Sequence, residues 1–181
     1  MDIPIFELES DTIIVWDERI GSILYELGFF GKPLGLRKAN PGKLQRPLVL
    51  SMFDALYLSK KNIIKISYNG NLLDENEFLQ VADELYVDFS SKYQVYEHLR
   101  NMGYVVRPGM KFGSDFAIYE EGPGKDHSIA VVHVVNDSVN LKAIEIVRAG
   151  RLAASVKKNY LIATISNDNN PIFYGFDRVK I

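Results

Sequence analysis

The chain has 181 residues, of which 47% are hydrophobic and 12% aromatic, so it can bury a core as one domain or as two small domains. It contains no cysteine, which excludes disulfide bonds and cysteine-ligated zinc. No apolar run approaches the roughly 18 residues of a membrane-spanning helix, and the acidic N-terminus is unlike a secretory signal peptide. We therefore expect a cytoplasmic protein with no membrane partner.

The formal net charge is −2, but the charges are unevenly distributed. Residues 1–90 hold 9 basic and 14 acidic side chains, whereas residues 91–181 hold 12 basic and 9 acidic ones. Between Leu141 and Lys158 five cations stand against a single acid, Glu145. A local basic face on a mildly acidic protein indicates a specific site for a polyanion, although a solvated helix face would have the same composition.

The first half of the chain predicts a mixture of strands and helices. Thr12–Trp16 has the pattern of a strand, and Glu18–Phe30 that of a helix or of a helix and a strand. Ser51, with Asp54 three residues later, has the pattern of a helix N-cap. The remaining predictions are a loop over Gly31–Pro47, a strand over Ile63–Tyr68 that ends at the turn Asn69-Gly70, and a helix over Asp74–Leu85.

The composition shifts near Asp88–Ser91, where we predict a domain boundary. Downstream we predict helices over Tyr93–Arg100 and Asn140–Ser155, and strands over Tyr104–Arg107, Phe116–Tyr119, Ser128–Val135, Tyr160–Ile165 and Ile172–Phe176. Ser128–Val135 is apolar on both faces, so it should be central in its sheet. The expected fold is α/β (α+β): a small mixed domain over residues 1–88, and a compact α/β domain with a mixed sheet and two helices over residues 89–181.

Candidate chemistry is concentrated between residues 119 and 158. Tyr119 ends one predicted strand and His127 precedes the next, so a hairpin would bring a phenol and an imidazole to one rim. Arg151, Lys157 and Lys158 follow in a basic helical segment. A tyrosine, a histidine and a lysine around one rim can transfer protons without a metal ion.

Metal chemistry has weaker support in the sequence. His127 and His133 would be roughly 20 Å apart along a strand, too far to share a metal ion, and we expect His133 in the core. A metal-dependent nuclease would need convergent carboxylates. The acids near the rim are expected to be solvated instead: Asp115, Glu120, Glu121 and Asp126.

Three motifs resemble those of a known family. They are YxVYxxLRxxGYVVRPGxKFGxDFxxYE over residues 93–120, His127-Ser128 before a strand, and RxAxSVxKxY over residues 151–160. In these the chain resembles the catalytic domain of archaeal tRNA-intron (splicing) endonucleases. Upstream, LVLSMFDALYL over residues 48–58 is similar to the "EALYL" helix of that family's N-terminal domain.

The resemblance implies a set of site residues. It matches Tyr119, His127 and Lys158 to the family's catalytic tyrosine, histidine and lysine, with Lys157 as the competing lysine. It matches Arg151 to the first of two arginines that sandwich a flipped-out base. Arg178 is our candidate for the second, with an ordinary surface arginine as the alternative.

The resemblance also implies the reaction. We expect removal of introns from precursor tRNA at bulge–helix–bulge motifs, by metal-independent attack of a 2′-hydroxyl, with no cofactor. The products would be a 2′,3′-cyclic phosphate and a 5′-hydroxyl. The alternative is a non-catalytic RNA-binding or structural module on the same fold.

For assembly, a single-copy chain resembles the homotetrameric members of the family, which are dimers of dimers. The catalytic half of a heterotetramer remains the alternative. Ile172–Phe176 is the expected dimer interface. Asp168 is the candidate for the acidic loop that joins dimers, and Asp137 is a weaker one.

Overall fold

A computed structural model describes residues 3–36, 46–110, 113–136, 140–156 and 158–175. The chain divides into two compact units, residues 1–90 and 91–181. Within the described residues, each unit is built on its own sheet, of six strands in the first and five in the second. The mixed α/β class expected from the sequence is confirmed.

In the described part of the first unit, three helices, α1 to α3, accompany a mixed sheet. Its sheet has the order β3-β4-β2-β1-β5-β6, and β1 and β5 are its parallel pair. The elements are β1 (Ile5–Glu9), β2 (Thr12–Val15), α1 (Glu18–Gly28), β3 (Lys32–Pro33), β4 (Leu48–Ser51), α2 (Met52–Lys60), β5 (Lys65–Tyr68), β6 (Asn71–Leu72) and α3 (Glu75–Leu85). The strands β1, β3, β4 and β6 were not among the sequence predictions, and β3 lies within the segment that we predicted to be a loop, Gly31–Pro47.

Side-chain caps fix where the helices of this unit begin. Ser51 and Asp54 form the predicted capping box at the start of α2, and Asp74 forms a second one with Glu77 at the start of α3. Asp17 caps α1 by accepting hydrogen bonds from two backbone N–H groups. Each such cap is worth about 0.5–2 kcal/mol, because it satisfies donors that the helix itself leaves without a partner.

The second unit contains five strands in the order β11-β10-β9-β8-β7. The elements are β7 (Val105–Pro108), β8 (Phe116–Tyr119), β9 (Ala130–Val134), α5 (Ala143–Val156), β10 (Asn159–Ile165) and β11 (Pro171–Gly175). The helix α4 (Phe89–Asn101) precedes them, and the division between the units falls in its first turn. β9 is the middle strand, as its apolar faces predicted. It runs parallel to β10 and antiparallel to β8.

One face of this sheet holds a buried cluster of Ala117, Val131, Tyr160 and Ile162. Tyr119, Val135 and Leu141 pack against the cluster from its borders. The opposite face carries Phe116, whose ring lies 5.8 Å from that of Tyr96 on α4. Because side chains alternate between faces along a strand, the register of the strands decides which residues share the cluster.

Asp115, immediately before β8, is the centre of a polar network. Its side chain is only 12% exposed, and one carboxylate oxygen accepts a hydrogen bond from the Val134 N–H at 2.8 Å. The same oxygen lies 3.0 Å from His133 Nδ1, and the other lies 3.2 Å from Lys92 Nζ. The expectation of a solvated Asp115 is therefore wrong.

The expectation of a core His133 is also wrong, since its side chain is 40% exposed. His133 lies near the end of β9, on the face that Asp115 shares, and its ring reaches the carboxylate there. The sequence pattern alone could not distinguish this position from the apolar centre of the strand.

The network lowers the pKa of Asp115 below its ordinary value. Burial opposes ionisation and is the largest single influence, but the hydrogen bonds from His133 and Val134 and the charge of Lys92 together outweigh it. Asp115 in turn acts on Tyr160, whose pKa is raised by burial and by this nearby negative charge.

We predict that Asp115→Asn lowers the free energy of unfolding by about 1.5–3 kcal/mol at neutral pH, because it removes the charge from buried hydrogen bonds. The folded-state pKa of Asp115 is lowered, so the stabilisation is complete above about pH 4 and is lost as the pH falls through the folded pKa. Denaturant unfolding of both proteins across this range measures the difference.

The matched control is Glu120→Gln, which removes one carboxylate charge at an exposed position of the same unit. It should leave the stability at neutral pH unchanged. If Asp115→Asn lowered the free energy of unfolding equally at neutral and at strongly acidic pH, the stabilisation could not come from the ionised Asp115 carboxylate.

Candidate active site

Three strand ends meet at one end of the second sheet. We call this border, where the inner strands β8, β9 and β10 begin or end, the edge of the candidate site. The end of β8 lies beside the start of β9 because these strands are antiparallel, with Ile118 opposite Ala130. The start of β10 lies beside the start of β9 because these strands are parallel, with Asn159 opposite Ala130. Tyr119, His127 and Lys158 therefore belong to chain segments that converge at this edge.

Lys158 is joined directly to the segment that carries His127. Its Nζ donates a hydrogen bond to the carbonyl oxygen of Ser128 at 2.8 Å. The next residue, Asn159, donates its backbone N–H to the Ile129 carbonyl at 3.1 Å. The ammonium group is thus held next to the residue that follows His127.

Tyr119 is half-buried at the end of β8, where it packs against the apolar cluster. Tyr160, a member of that cluster, is a second phenol in this part of the sheet. Because burial and the charge of Asp115 raise the pKa of Tyr160, it is poorly suited to accept a proton near neutral pH. Tyr119 is the phenol that the family resemblance matches to a catalytic base.

His127 is exposed, and the turn before it is strongly ordered by hydrogen bonds. The Asp126 carboxylate accepts three of them from successive backbone N–H groups: Glu120 at 3.0 Å, Glu121 at 2.9 Å and Gly122 at 3.0 Å. The carbonyl of Gly122 accepts from Lys125 and Asp126 at 3.0 and 3.1 Å. Asp126 was expected to be solvated, and its carboxylate is instead part of the turn.

The remaining predicted site residues are more scattered. Arg151 lies on α5 and is exposed, and Asp168 is exposed in the turn between β10 and β11. The sequence analysis associated Arg151 with Lys158 along one helix, but α5 ends at Val156 and Lys158 lies beyond it, next to β10. Lys157, Arg178 and Asp137 lie outside the described residues.

An apolar groove of about 490 Å³ lies beside the same strands, on the face that α4 covers. Ile118 and Leu161 form part of its floor, Leu99 and Met102 line it from α4 and the residues that follow, and Phe173 belongs to β11. In the part of the chain that the structure describes, no three acidic or histidine side chains are grouped as metal ligands would be. No helix in that part is long and apolar enough to cross a membrane.

Sequence reasoning missed two parts of this edge, the Asp126 carboxylate and the Ser128 carbonyl. Asp126 had a usable signal, since Asp side chains often bind backbone N–H groups of their own turn. The Ser128 carbonyl had none, because its contact with Lys158 spans 30 residues and depends on the strand register.

Comparison with known proteins agrees with the resemblance. Residues 5–79 match the N-terminal domain of tRNA intron endonucleases, and residues 89–174 match their catalytic C-terminal domain. A tRNA-splicing endonuclease of Sulfolobus acidocaldarius is 36% identical over 93% of each chain. The tRNA-splicing endonuclease of Hyperthermus butylicus is 38% identical over 89% of this chain and 90% of its own length. That of Pyrobaculum islandicum is 35% identical over 96% of this chain and 98% of its own length. The chain therefore belongs to the tRNA intron endonuclease family.

Proposed function

We propose that the protein is a tRNA-splicing endoribonuclease that removes introns from precursor tRNA. The observation that carries this proposal is that the segments bearing Tyr119, His127 and Lys158 converge at one end of the second sheet. The chain in which they do so belongs to this family. Residues 89–181 would form the catalytic domain and residues 1–88 a structural one. The substrate would present its cleavage sites in a bulge–helix–bulge fold.

The proposed reaction uses the 2′-hydroxyl next to the scissile phosphate as nucleophile. Tyr119 takes the proton of that hydroxyl as the 2′-oxygen forms a bond to phosphorus. His127 donates a proton to the 5′-oxygen as its bond to phosphorus breaks. The products are a 2′,3′-cyclic phosphate and a 5′-hydroxyl, and the reaction needs no cofactor.

Lys158 would stabilise the additional negative charge on the phosphate oxygens in the transition state. Its position supports this role, because the contact with the Ser128 carbonyl holds the ammonium beside the His127 segment. An ammonium that is already oriented stabilises developing charge without the cost of reorganising solvent.

Arg151 would bind the bulged nucleotides. Its guanidinium is exposed on α5, the helix that leads into the Lys158 segment. A planar guanidinium can stack on an unpaired base, and we propose that Arg151 and Arg178 enclose one such base between them.

The proposed function predicts cleavage of a bulge–helix–bulge RNA in the presence of EDTA, because the nucleophile belongs to the substrate and the acid and base are side chains. Analysis of the product termini should find the cyclic phosphate and the 5′-hydroxyl. Activity that required magnesium and left 3′-hydroxyl ends would contradict this mechanism. RNA binding without any cleavage would favour a non-catalytic RNA-binding module.

His127→Ala should lower the single-turnover cleavage rate by about 10²–10⁴-fold, the usual contribution of a general acid. The affinity for RNA should remain unchanged, since the exposed imidazole has its main effect at the leaving oxygen. The control is His98→Gln, which changes an exposed histidine on α4. A parallel loss of binding and cleavage in His127→Ala would identify a binding residue instead.

We also propose that the enzyme is a homotetramer, a dimer of dimers. A bulge–helix–bulge RNA has two scissile sites related by an approximate two-fold axis, which a two-fold dimer can match. β11 is at the end of the strand order, with Ile172 40% and Tyr174 50% exposed, and its Phe173 lines the apolar groove. An outer strand with exposed apolar side chains is usually covered by another part of the protein or by a partner, and β11 of a second copy of this chain would cover it.

The exposed Asp168 would join the dimers through a basic site on another subunit. Asp168→Lys should therefore convert tetramers to dimers, and higher salt should weaken the wild-type tetramer. Sedimentation velocity of both proteins across salt concentrations measures this. A tetramer that the substitution left intact would exclude Asp168, and a wild-type monomer with full activity would exclude the assembly.

A further inference from the structure

The turn between β8 and β9 connects the two proposed proton-transfer residues. Tyr119 precedes this turn and His127 follows it. Its shape requires backbone conformations with positive φ, 115° at Gly122 and 93° at Gly124, which favour glycine. A glycine-rich segment has high conformational entropy, so a specific interaction is needed to hold it in one shape.

The Asp126 carboxylate supplies that interaction. The successive N–H groups of Glu120, Glu121 and Gly122 form a small concave anion site, and the carboxylate occupies it with three hydrogen bonds of 2.9–3.0 Å. Hydrogen bonds to an ionised acceptor are about twice as strong as neutral ones. The contact therefore joins the residues that follow Tyr119 to the residue that precedes His127.

A second contact holds the other side of His127. The Ser128 carbonyl accepts the hydrogen bond from Lys158, and the Ile129 N–H donates to the Ile118 carbonyl at 2.8 Å. The backbone on each side of His127 is thus fixed, while its own side chain remains exposed. Without the Asp126 carboxylate, the side before His127 would lose three hydrogen bonds and keep the backbone contact of the Asp126 N–H with the Gly122 carbonyl at 3.1 Å.

We propose that Asp126 is a positioning residue for the cleavage reaction, an inference that rests on the proposed function. Its carboxylate, bound to the three N–H groups, sets the distance between the Tyr119 phenol and the His127 imidazole. It acts through these residues and does not itself touch the RNA. A phenol and an imidazole on opposite sides of one phosphate must be held at a fixed separation for attack and departure to occur in line.

The test is single-turnover cleavage of a bulge–helix–bulge RNA by Asp126→Ala, with RNA affinity and thermal unfolding measured on the same protein. The cleavage rate should fall about 10- to 100-fold, the effect of a small displacement of catalytic groups. Affinity and unfolding temperature should stay close to wild type. Asp126→Asn keeps an acceptor oxygen but loses the charge, so its cleavage rate should lie between those of wild type and Asp126→Ala.

Added acetate should partly restore cleavage by Asp126→Ala, because a free carboxylate can occupy the vacated N–H groups. Chloride at the same ionic strength should not. Restored cleavage at an unchanged unfolding temperature would distinguish a positioning role from a general loss of folding. The matched control is Glu121→Gln, which removes an exposed charge from the same turn while its backbone N–H remains, and it should cleave like wild type.

The outcomes separate this inference from the proposed function. Wild type that fails to cleave the RNA overturns the proposed function and this inference with it. Active wild type together with an Asp126→Ala variant of normal rate overturns the positioning role alone. The positioning role is also overturned if the cleavage rate of Asp126→Ala falls only in proportion to its RNA affinity or its folded fraction. It is overturned as well if acetate fails to restore the cleavage rate of this variant.

Discussion

The pairing of β9 with its two neighbours is the constraint on which the rest of the second unit depends. Ala130, the first residue of β9, lies opposite both Ile118 of β8 and Asn159 of β10. This double pairing brings the end of one strand and the starts of two others to a single edge. A shift of register by one residue would turn Tyr119 to the other face of the sheet, away from the cluster that it packs against. The apolar core thus determines which side chains reach the edge.

The face of the sheet that holds the buried cluster differs in polarity along β8. Asp115, Ala117 and Tyr119 alternate with the residues of the other face, so they lie in a row. Asp115 begins the row in its polar network, Ala117 is in the buried cluster, and Tyr119 ends the row at the candidate site. The network therefore stabilises the end of the strand opposite to the proposed chemistry. An Asp115 substitution can weaken the fold without touching the groups proposed to act on RNA.

Local patterns predicted much of this structure, and long-range contacts account for what they missed. The bounds of β8 and the cap of α2 followed from neighbouring residues, as did the central position of β9. β4 is short and runs directly into α2, so its apolar residues were read as part of the helix motif. Asp115 was misjudged because its partners Lys92 and His133 are distant in sequence. Lys158 was assigned to a helix that ends two residues earlier, at Val156.

Apolar packing and polar contacts have different tasks at the proposed site. Packing positions the strands to within one register step, but it does not by itself hold the turn that precedes His127. Catalysis requires finer control, since a displacement of about 1 Å can reduce a rate 100-fold. In the proposed mechanism, the hydrogen bonds of Asp126 and Lys158 would supply that control at the two sides of His127, and both bind backbone groups. Most substitutions leave a backbone partner in place, although proline removes an N–H donor and the positive φ of Gly122 and Gly124 favours glycine. The side chains of Glu120 and Glu121 can therefore vary while the carboxylate and the ammonium keep their contacts. The proposed site should therefore tolerate least the loss of Asp126 and Lys158 and of Tyr119 and His127, the proposed proton-transfer pair.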